Sequence, residues 1–265
     1  MFRKALGFGL VLALAGAGTS FAHDFWIQPA PYITGKDGRV AIRLFNGHGD
    51  ERTEYPYRPA RIVRLEMHGP KDKKDLVGLP EKMPTAAALL DQPGVYTFVY
   101  QSKHAYIELP PERFEPYVHE EGLDAILVER KERGEADKPG KESYARYCKA
   151  LVKVGSDTSG FDRKVGLPLE VTAIDNPYAA KKRKKLAFLL EYQGKPLGNA
   201  YVEMVSLDDL SNKQKGHTDK NGRVTFNRPK PGPWMVATTY MRRAPADVQG
   251  DWESFWATLT FEIAK

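Results

Sequence analysis

The chain has 265 residues, of which 42% are hydrophobic and 28% are charged, and its formal net charge at pH 7 is +6. This length and apolar fraction suffice for one large packed domain or two small ones. The positive excess is mild and does not indicate a nucleic-acid partner, and beyond the N-terminus no segment is apolar enough to cross a membrane.

The N-terminal segment has the pattern of a secretory signal peptide. Arg3 and Lys4 precede an uncharged apolar stretch at 5–18, and Ser20 and Ala22 supply small residues at the two positions that a signal peptidase reads. The apolar stretch is shorter than the roughly 20 residues that span a bilayer. We therefore predict a signal peptide at 1–22, cleavage after Ala22, and a periplasmic or secreted mature protein with no transmembrane segment.

The first part of the mature chain, 23–165, reads as a β-rich domain with a helical insert. Ranges 39–45, 60–67 and 94–100 alternate apolar and polar residues, as strands do. From Pro111 the spacing becomes helical, and 142–150 is predicted as a second short helix, so that the insert covers about 112–150. The single cysteine, Cys148, lies in this second helical stretch and is predicted to be a buried structural thiol.

The second part, 166–265, reads as a β-sandwich domain. Its strand-like ranges are short and are separated by turn residues, such as Thr218-Asp219 before Gly222. These ranges are 169–174, 185–192, 200–205, 223–226, 235–240 and 254–263. The predicted fold class is therefore mostly β.

Several motifs carry a resemblance to known families. Gly194 to Leu197, followed by Thr218-Asp219 and Gly222, is similar to a prealbumin-like or carboxypeptidase-regulatory-like sandwich. Over nearly its full length the mature chain resembles the bacterial family called domain of unknown function 4198. The matching pieces, in order, are 23–26, 47–49, Phe114, Tyr117, 121–123, Tyr144, Lys149, 166–171, 176–178 and 252–261.

The resemblance implies a periplasmic component of a cobalt- or nickel-type transport system, with an envelope transporter as a possible partner. It implies no reaction. The sequence departs from the family at the basic run 181–185, where relatives have a Gly-containing turn. That run is predicted to be a solvated loop, or alternatively a contact with an anionic lipid or polysaccharide.

His23 carries the predicted chemistry, because cleavage after Ala22 would make it the first residue. An N-terminal histidine offers its α-amine and its ring Nδ1 to one metal ion. With a second imidazole this makes a three-nitrogen histidine brace, whose ligands and tetragonal geometry favour Cu(II) or Ni(II), with copper highest in the affinity order. The predicted cofactor is therefore a divalent transition metal, with copper preferred and nickel or cobalt possible.

The second ligand is predicted among the other histidines. His48 is the first choice because the glycines on either side leave it free to be aimed. His104 is second, since it follows a predicted strand, and His217 beside the Thr-Asp turn is third. His119 is predicted to be solvated and His68 to be structural. The predicted metal site is therefore His23, His48 and His104.

Three classes of function remain open at the level of sequence. The first is a periplasmic metal-binding protein that captures or delivers copper, nickel or cobalt. The second is a copper-dependent oxidase or monooxygenase acting on a polysaccharide, and the third is a structural or interaction protein of the cell envelope. Neither zinc-hydrolase nor nucleophile-elbow motifs occur. An enzyme is therefore the less favoured class, and no catalytic residue is assigned.

Overall fold

The computed structural model describes residues 24–48, 51–179 and 184–264, without side-chain detail at positions 48 and 51. The predicted signal peptide, His23 and most of the basic run lie outside the described residues.

The N-terminal part of the described chain is built from strands that pair antiparallel except for Ile33–Thr34, which pairs in parallel with a later strand, and the predicted strands at 39–45, 60–67 and 94–100 are confirmed. A short 3-10 turn at Pro59–Arg61 precedes the fifth strand. The strands are β1 (Asp24–Ala30), β2 (Ile33–Thr34), β3 (Gly38–His48), β4 (Glu51–Tyr55), β5 (Ile62–His68), β6 (Lys73–Asp75), β7 (Ala86–Leu90), β8 (Gly94–Ser102) and β9 (Ala105–Leu109).

Two short helices form the insert, α1 (Pro111–Glu120) and α2 (Asp124–Glu132). Pro111 stands at the first helical position, where its missing N–H costs nothing. Gly122 provides the positive φ of 68° that the sharp link between the helices requires. Phe114, Tyr117 and Val118 bury one face of α1, and this packing holds the insert against the sheet.

The prediction of a second helix at 142–150 is wrong, because these residues belong to the long strand β10 (Gly140–Val154). Arg146 and Lys149 stand three residues apart, as they would on the polar face of a helix. In the structure both faces of the strand are covered instead. Lys149 is buried in an ion pair with Glu170, and Arg146 packs on aromatic rings, so the charges do not mark a solvated face.

The C-terminal part confirms the predicted run of short strands. They are β11 (Leu169–Ala173), β12 (Lys185–Tyr192), β13 (Lys195–Pro196), β14 (Tyr201–Ser206), β15 (Lys213–His217), β16 (Arg223–Asn227), β17 (Gly232–Arg243) and β18 (Trp252–Ile263).

A long sheet in the order β15-β14-β17-β18-β10-β8-β5-β6 forms the middle layer, and β2 and β9 also pair with β10. One face packs on the sheet of β11, β12, β13 and β16 through a core that includes Leu151, Phe188 and Phe261. The other face packs on the sheet of β1, β3, β4 and β7 through a core that includes Ile42 and Phe98. The fold is thus mostly β, as predicted, and its long sheet contains strands from both sides of residue 165.

Strand β1 is fixed on the long sheet by side chains that donate to its carbonyl oxygens. Cys148 Sγ and Thr258 Oγ1 lie 3.1 and 3.0 Å from the Phe25 carbonyl, and Thr260 Oγ1 lies 2.6 Å from that of Ile27. Burial raises the pKa of Cys148 to about 12, so this thiol is structural, as predicted. Phe25 and Ile27 of β1 are therefore held in a defined register on the long sheet.

No helix in the described ranges is long and apolar enough to cross a membrane.

Candidate functional site

The pairing of β1 with β3 places Asp24, the first described residue, beside the end of β3. The antiparallel ladder pairs Phe25 with Asn46 and Asp24 with Gly47. His48 is the last residue of β3 and pairs with Glu51 of β4. Its backbone therefore belongs to a strand and not to the free loop that its flanking glycines suggested.

On one face of this ladder lies a cavity of about 150 Å³, which we call the carboxylate cavity. Its wall includes side chains from β1, from the end of α1, and from β14 and β17. Those that define it are Asp24, Glu121, Tyr201, Glu203 and Thr239. Gly47 also lines it, so the cavity lies beside the residue that precedes His48.

The carboxyl groups of the cavity are held in place by hydroxyl donors. Thr239 Oγ1 donates to Glu121 Oε2 at 2.6 Å, and the Tyr201 hydroxyl donates to Glu203 Oε1 at 2.5 Å. Lys213 Nζ contacts the other oxygen of Glu203 at 3.0 Å. Burial, followed by the nearby carboxylate of Asp24, raises the pKa of Glu121 well above its usual range. The cavity therefore brings several carboxyl groups together, and Glu121 keeps its proton to a higher pH than an exposed glutamate does.

The sequence analysis placed Glu121 only in a segment that matches the family and gave it no role in a site. The signal was the glycine that follows it, since a chain reversal at Gly122 turns the end of α1 inward. Tyr201 packs under that glycine, where an added Cβ would meet the tyrosine Cβ at 2.5 Å. The turn therefore holds Glu121 toward β14 and β17.

The opposite face of the ladder carries Phe25 and an arginine. The Arg146 guanidinium carbon lies 4.7 Å from the Phe25 ring centroid and 5.1 Å from that of Tyr144. Tyr100 packs on Phe25 at 5.1 Å. On the same ladder Asn46 Oδ1 is buried and has no hydrogen-bond partner among the described residues. This face is aromatic and polar, with one positive charge.

His104 lies apart from this ladder. Its Nε2 is 3.2 Å from Glu253 Oε1, and Arg242 binds the other oxygen of that carboxylate. Since side chains alternate along β18, Glu253 faces away from the layer that Thr258 and Thr260 contact. The structure thus places His104 on the far side of the long sheet from β1.

The other described histidines each have a local partner. His68 Nε2 lies 2.8 Å from Glu66 Oε2, and His119 Nδ1 lies 2.6 Å from Asp124 Oδ1 on the surface. His217 packs its ring against Tyr201 at 5.5 Å. Although burial opposes it, hydrogen bonds from Arg64, Lys73 and His68 lower the pKa of Glu66 to about 2.

Within the described residues no group of three or more His, Cys, Asp or Glu side chains forms a metal-binding cluster. His23 and the side chain of His48 lie outside the part of the chain to which this finding applies.

The fold and its cavity define a mostly β protein in which a sandwich is extended by a further sheet layer. The sequence model of the family described as domain of unknown function (DUF4198) matches residues 20–242, and the chain belongs to this family. No curated protein matches the chain.

Two solved structures similar to this chain are domains of Intimin. The D0-D1 domain has 12% sequence identity and a TM-score of 0.21, with 90% of this chain and 97% of that chain covered. The D00-D0 domain has 11% identity and a TM-score of 0.20, with 89% and 98% covered.

Proposed function

We propose that this protein captures or delivers a transition metal in the periplasm, with copper preferred over nickel or cobalt. The ligands in this proposal are the α-amine and imidazole of His23, after cleavage behind Ala22, together with the imidazole of His48.

The observation that carries the proposal is the register of β1 on β3. Within the described residues this ladder ends at the pair Asp24 and Gly47, which are the chain neighbours of the two proposed ligands His23 and His48. Directly opposed residues of an antiparallel pair have Cβ atoms about 5 Å apart. Two imidazole nitrogens that share one metal, each at about 2 Å, need a spacing of roughly 4 Å or less. The proposal requires the imidazoles of His23 and His48 to meet this spacing.

The carboxylate cavity lies beside the end of the same ladder and carries several acidic side chains. Asp24 and Gly47 are the last described ladder pair, and both line the cavity. A concave surface rich in carboxylates raises the local concentration of cations. His104 has no part in this proposal because it faces the other side of the long sheet.

A Cu(II) affinity series tests the proposal. Protein that begins at His23 is expected to bind one Cu(II) tightly, whereas the same chain with one added N-terminal glycine should bind far more weakly. His48→Ala should also weaken binding, and His104→Ala serves as the matched control and should not. Equal affinity in the native and glycine-extended chains would show that the α-amine is not a ligand.

Two further measurements test whether the protein is exported and whether it is a metal carrier or an oxidase. Mass spectrometry of the exported protein is expected to show His23 as its first residue. Transfer of the bound copper to a chelator, without oxygen consumption in the presence of ascorbate, would favour a carrier. Sustained oxygen consumption would favour the copper-dependent oxidase instead.

A further inference from the structure

The segment between β6 and β7 concentrates the exposed apolar side chains of the described chain. Among the described residues seven large hydrophobic side chains are exposed, and four of them lie within 77–89. Val77 is 78% exposed, Leu79 72% and Met83 56%. Single exposed apolar residues are ordinary on protein surfaces, whereas a group of them marks a contact surface. We call residues 76–84 the apolar loop.

The apolar loop is held in a fixed shape by contacts with Tyr57 and Arg58. The Glu81 N–H donates to the Tyr57 carbonyl at 2.9 Å, and the Tyr57 N–H donates to the Lys82 carbonyl at 3.0 Å. The Glu81 carboxylate also pairs with Arg58 Nε at 3.0 Å. At Gly78 an added Cβ would lie 2.9 Å from the Tyr57 ring, so the backbone packs directly on that ring. The loop thus turns its hydrogen bonds toward the protein and its large apolar side chains toward water.

The exposure of these side chains indicates the kind of partner. Val77 and Leu79 keep most of their surface in water, so they project from the loop and do not line a cavity. Projecting aliphatic side chains cannot enclose a small ligand. They can enter the boundary between lipid headgroups and acyl chains, which is fluid and needs no matching pocket.

Lysines lie next to the projecting side chains. Lys73 and Lys74 come before them, with side chains 52% and 55% exposed, and Lys82 is exposed within the loop. Two nearby acidic side chains, Asp72 and Glu81, are each paired with a basic one. A lysine carries its ammonium group at the end of a long apolar stem, so it reaches a phosphate while aliphatic neighbours are buried. Anionic headgroups attract lysines at a membrane surface.

We propose that the apolar loop docks this protein on an anionic lipid surface. Val77, Leu79 and Met83 enter the boundary between headgroups and acyl chains, and the lysines contact the headgroups. The inference uses none of the residues of the proposed metal site and does not depend on metal binding.

Vesicle binding tests the inference, with a chain that lacks residues 1–22 so that the apolar stretch at 5–18 cannot insert. The vesicles contain equal parts of phosphatidylglycerol and phosphatidylcholine, and the bound fraction is measured by sedimentation. The double variant Val77→Ser, Leu79→Ser is expected to bind about tenfold or more weakly than the native chain, because two aliphatic side chains are no longer buried in lipid. The matched control is Val128→Ser, which changes a valine that is 57% exposed on α2, and it should bind like the native chain.

Two further variants locate the contact. Lys82→Gln should bind about fivefold more weakly, the effect of one lysine near an anionic surface, and this difference should shrink at high salt. In Leu79→Trp the tryptophan emission should shift to shorter wavelength when vesicles are added, whereas Val128→Trp should show no shift.

Vesicle binding that survives the double variant would overturn the inference, since the contact would then lie elsewhere on the protein. Failure of the native chain to bind these vesicles would also overturn it. Equal binding to vesicles of phosphatidylcholine alone would refute the anionic surface. The changed side chains are exposed, so equal melting temperatures should confirm that every variant is folded. If the native chain forms dimers without lipid and the double variant is monomeric, the loop binds a second copy of the chain and the lipid assignment fails.

Discussion

Two polar clusters of this protein are built in opposite ways. At the junction of β10 and β11, Lys149 Nζ donates to Glu170 Oε1 at 2.7 Å, to the Arg163 carbonyl and to Thr172. The oxygens of Glu170 also accept backbone N–H groups of residues 165–167. In the carboxylate cavity, acidic side chains meet hydroxyl donors, and Lys213 contacts only Glu203.

The difference is one of charge balance. At the junction a buried cation and a buried anion compensate each other and join the two halves of the chain. In the carboxylate cavity several acidic side chains lie close together, and burial, followed by the Asp24 carboxylate, raises the pKa of Glu121. A concave cluster of acidic side chains attracts cations, whereas a buried ion pair such as Lys149–Glu170 carries no net charge.

The largest expected effect is the loss of Lys149. Lys149→Met would leave Glu170 buried without its cation, and we expect a loss of about 3–5 kcal/mol in the free energy of unfolding. Urea denaturation measures it. The control is Lys164→Met, which removes an exposed lysine paired with Glu191 and should cost less than about 1 kcal/mol. Similar losses in both variants would contradict the structural role of the junction.

A second effect concerns pH and the buried carboxyl of Glu142. Burial raises its pKa from 4.5 to about 7, against hydrogen bonds from Ser254 and Tyr117. Because the folded-state pKa lies above the unfolded one, this group stabilises the fold at low pH. That stabilisation, about 3 kcal/mol, is lost as the pH rises from 4.5 to about 7.

The test of Glu142 compares the native protein with Glu142→Gln at each pH, so that contributions of other groups cancel. The difference in the free energy of unfolding between the two chains should shift by about 3 kcal/mol between pH 4.5 and 7. It should stay constant at pH values well above 7. A difference that does not vary with pH would show that Glu142 does not titrate in this range.

A smaller effect is expected at the carboxylate cavity. Asp24→Asn in the chain that begins at His23 should weaken Cu(II) binding about three- to tenfold, since one nearby negative charge is removed. The loss should shrink at high salt if screening reaches the site. Glu108→Gln, which changes an exposed carboxylate on β9, is the control. Unchanged Cu(II) affinity in Asp24→Asn would show that the carboxylate cavity does not contribute to copper binding.

The sequence predicted most of the strands, because alternation and turn residues are local signals. It misassigned 142–150 because β10 lies in the middle layer and is covered on both faces, which removes the alternation. The predicted pairing of His23 with His48 was a choice among histidines. The β1–β3 register that supports it depends on contacts distant in sequence, which no local pattern shows. Glu121 was missed for the same reason, since its neighbours come from β1, β14 and β17.

The most direct test is electron paramagnetic resonance of the Cu(II)-loaded protein that begins at His23. We expect a tetragonal Cu(II) signal with three nitrogen donors, which are the α-amine and the imidazoles of His23 and His48. His48→Ala should lose one nitrogen, and His104→Ala should keep all three. A His48→Ala spectrum identical to that of the native protein would show that His48 does not coordinate the metal.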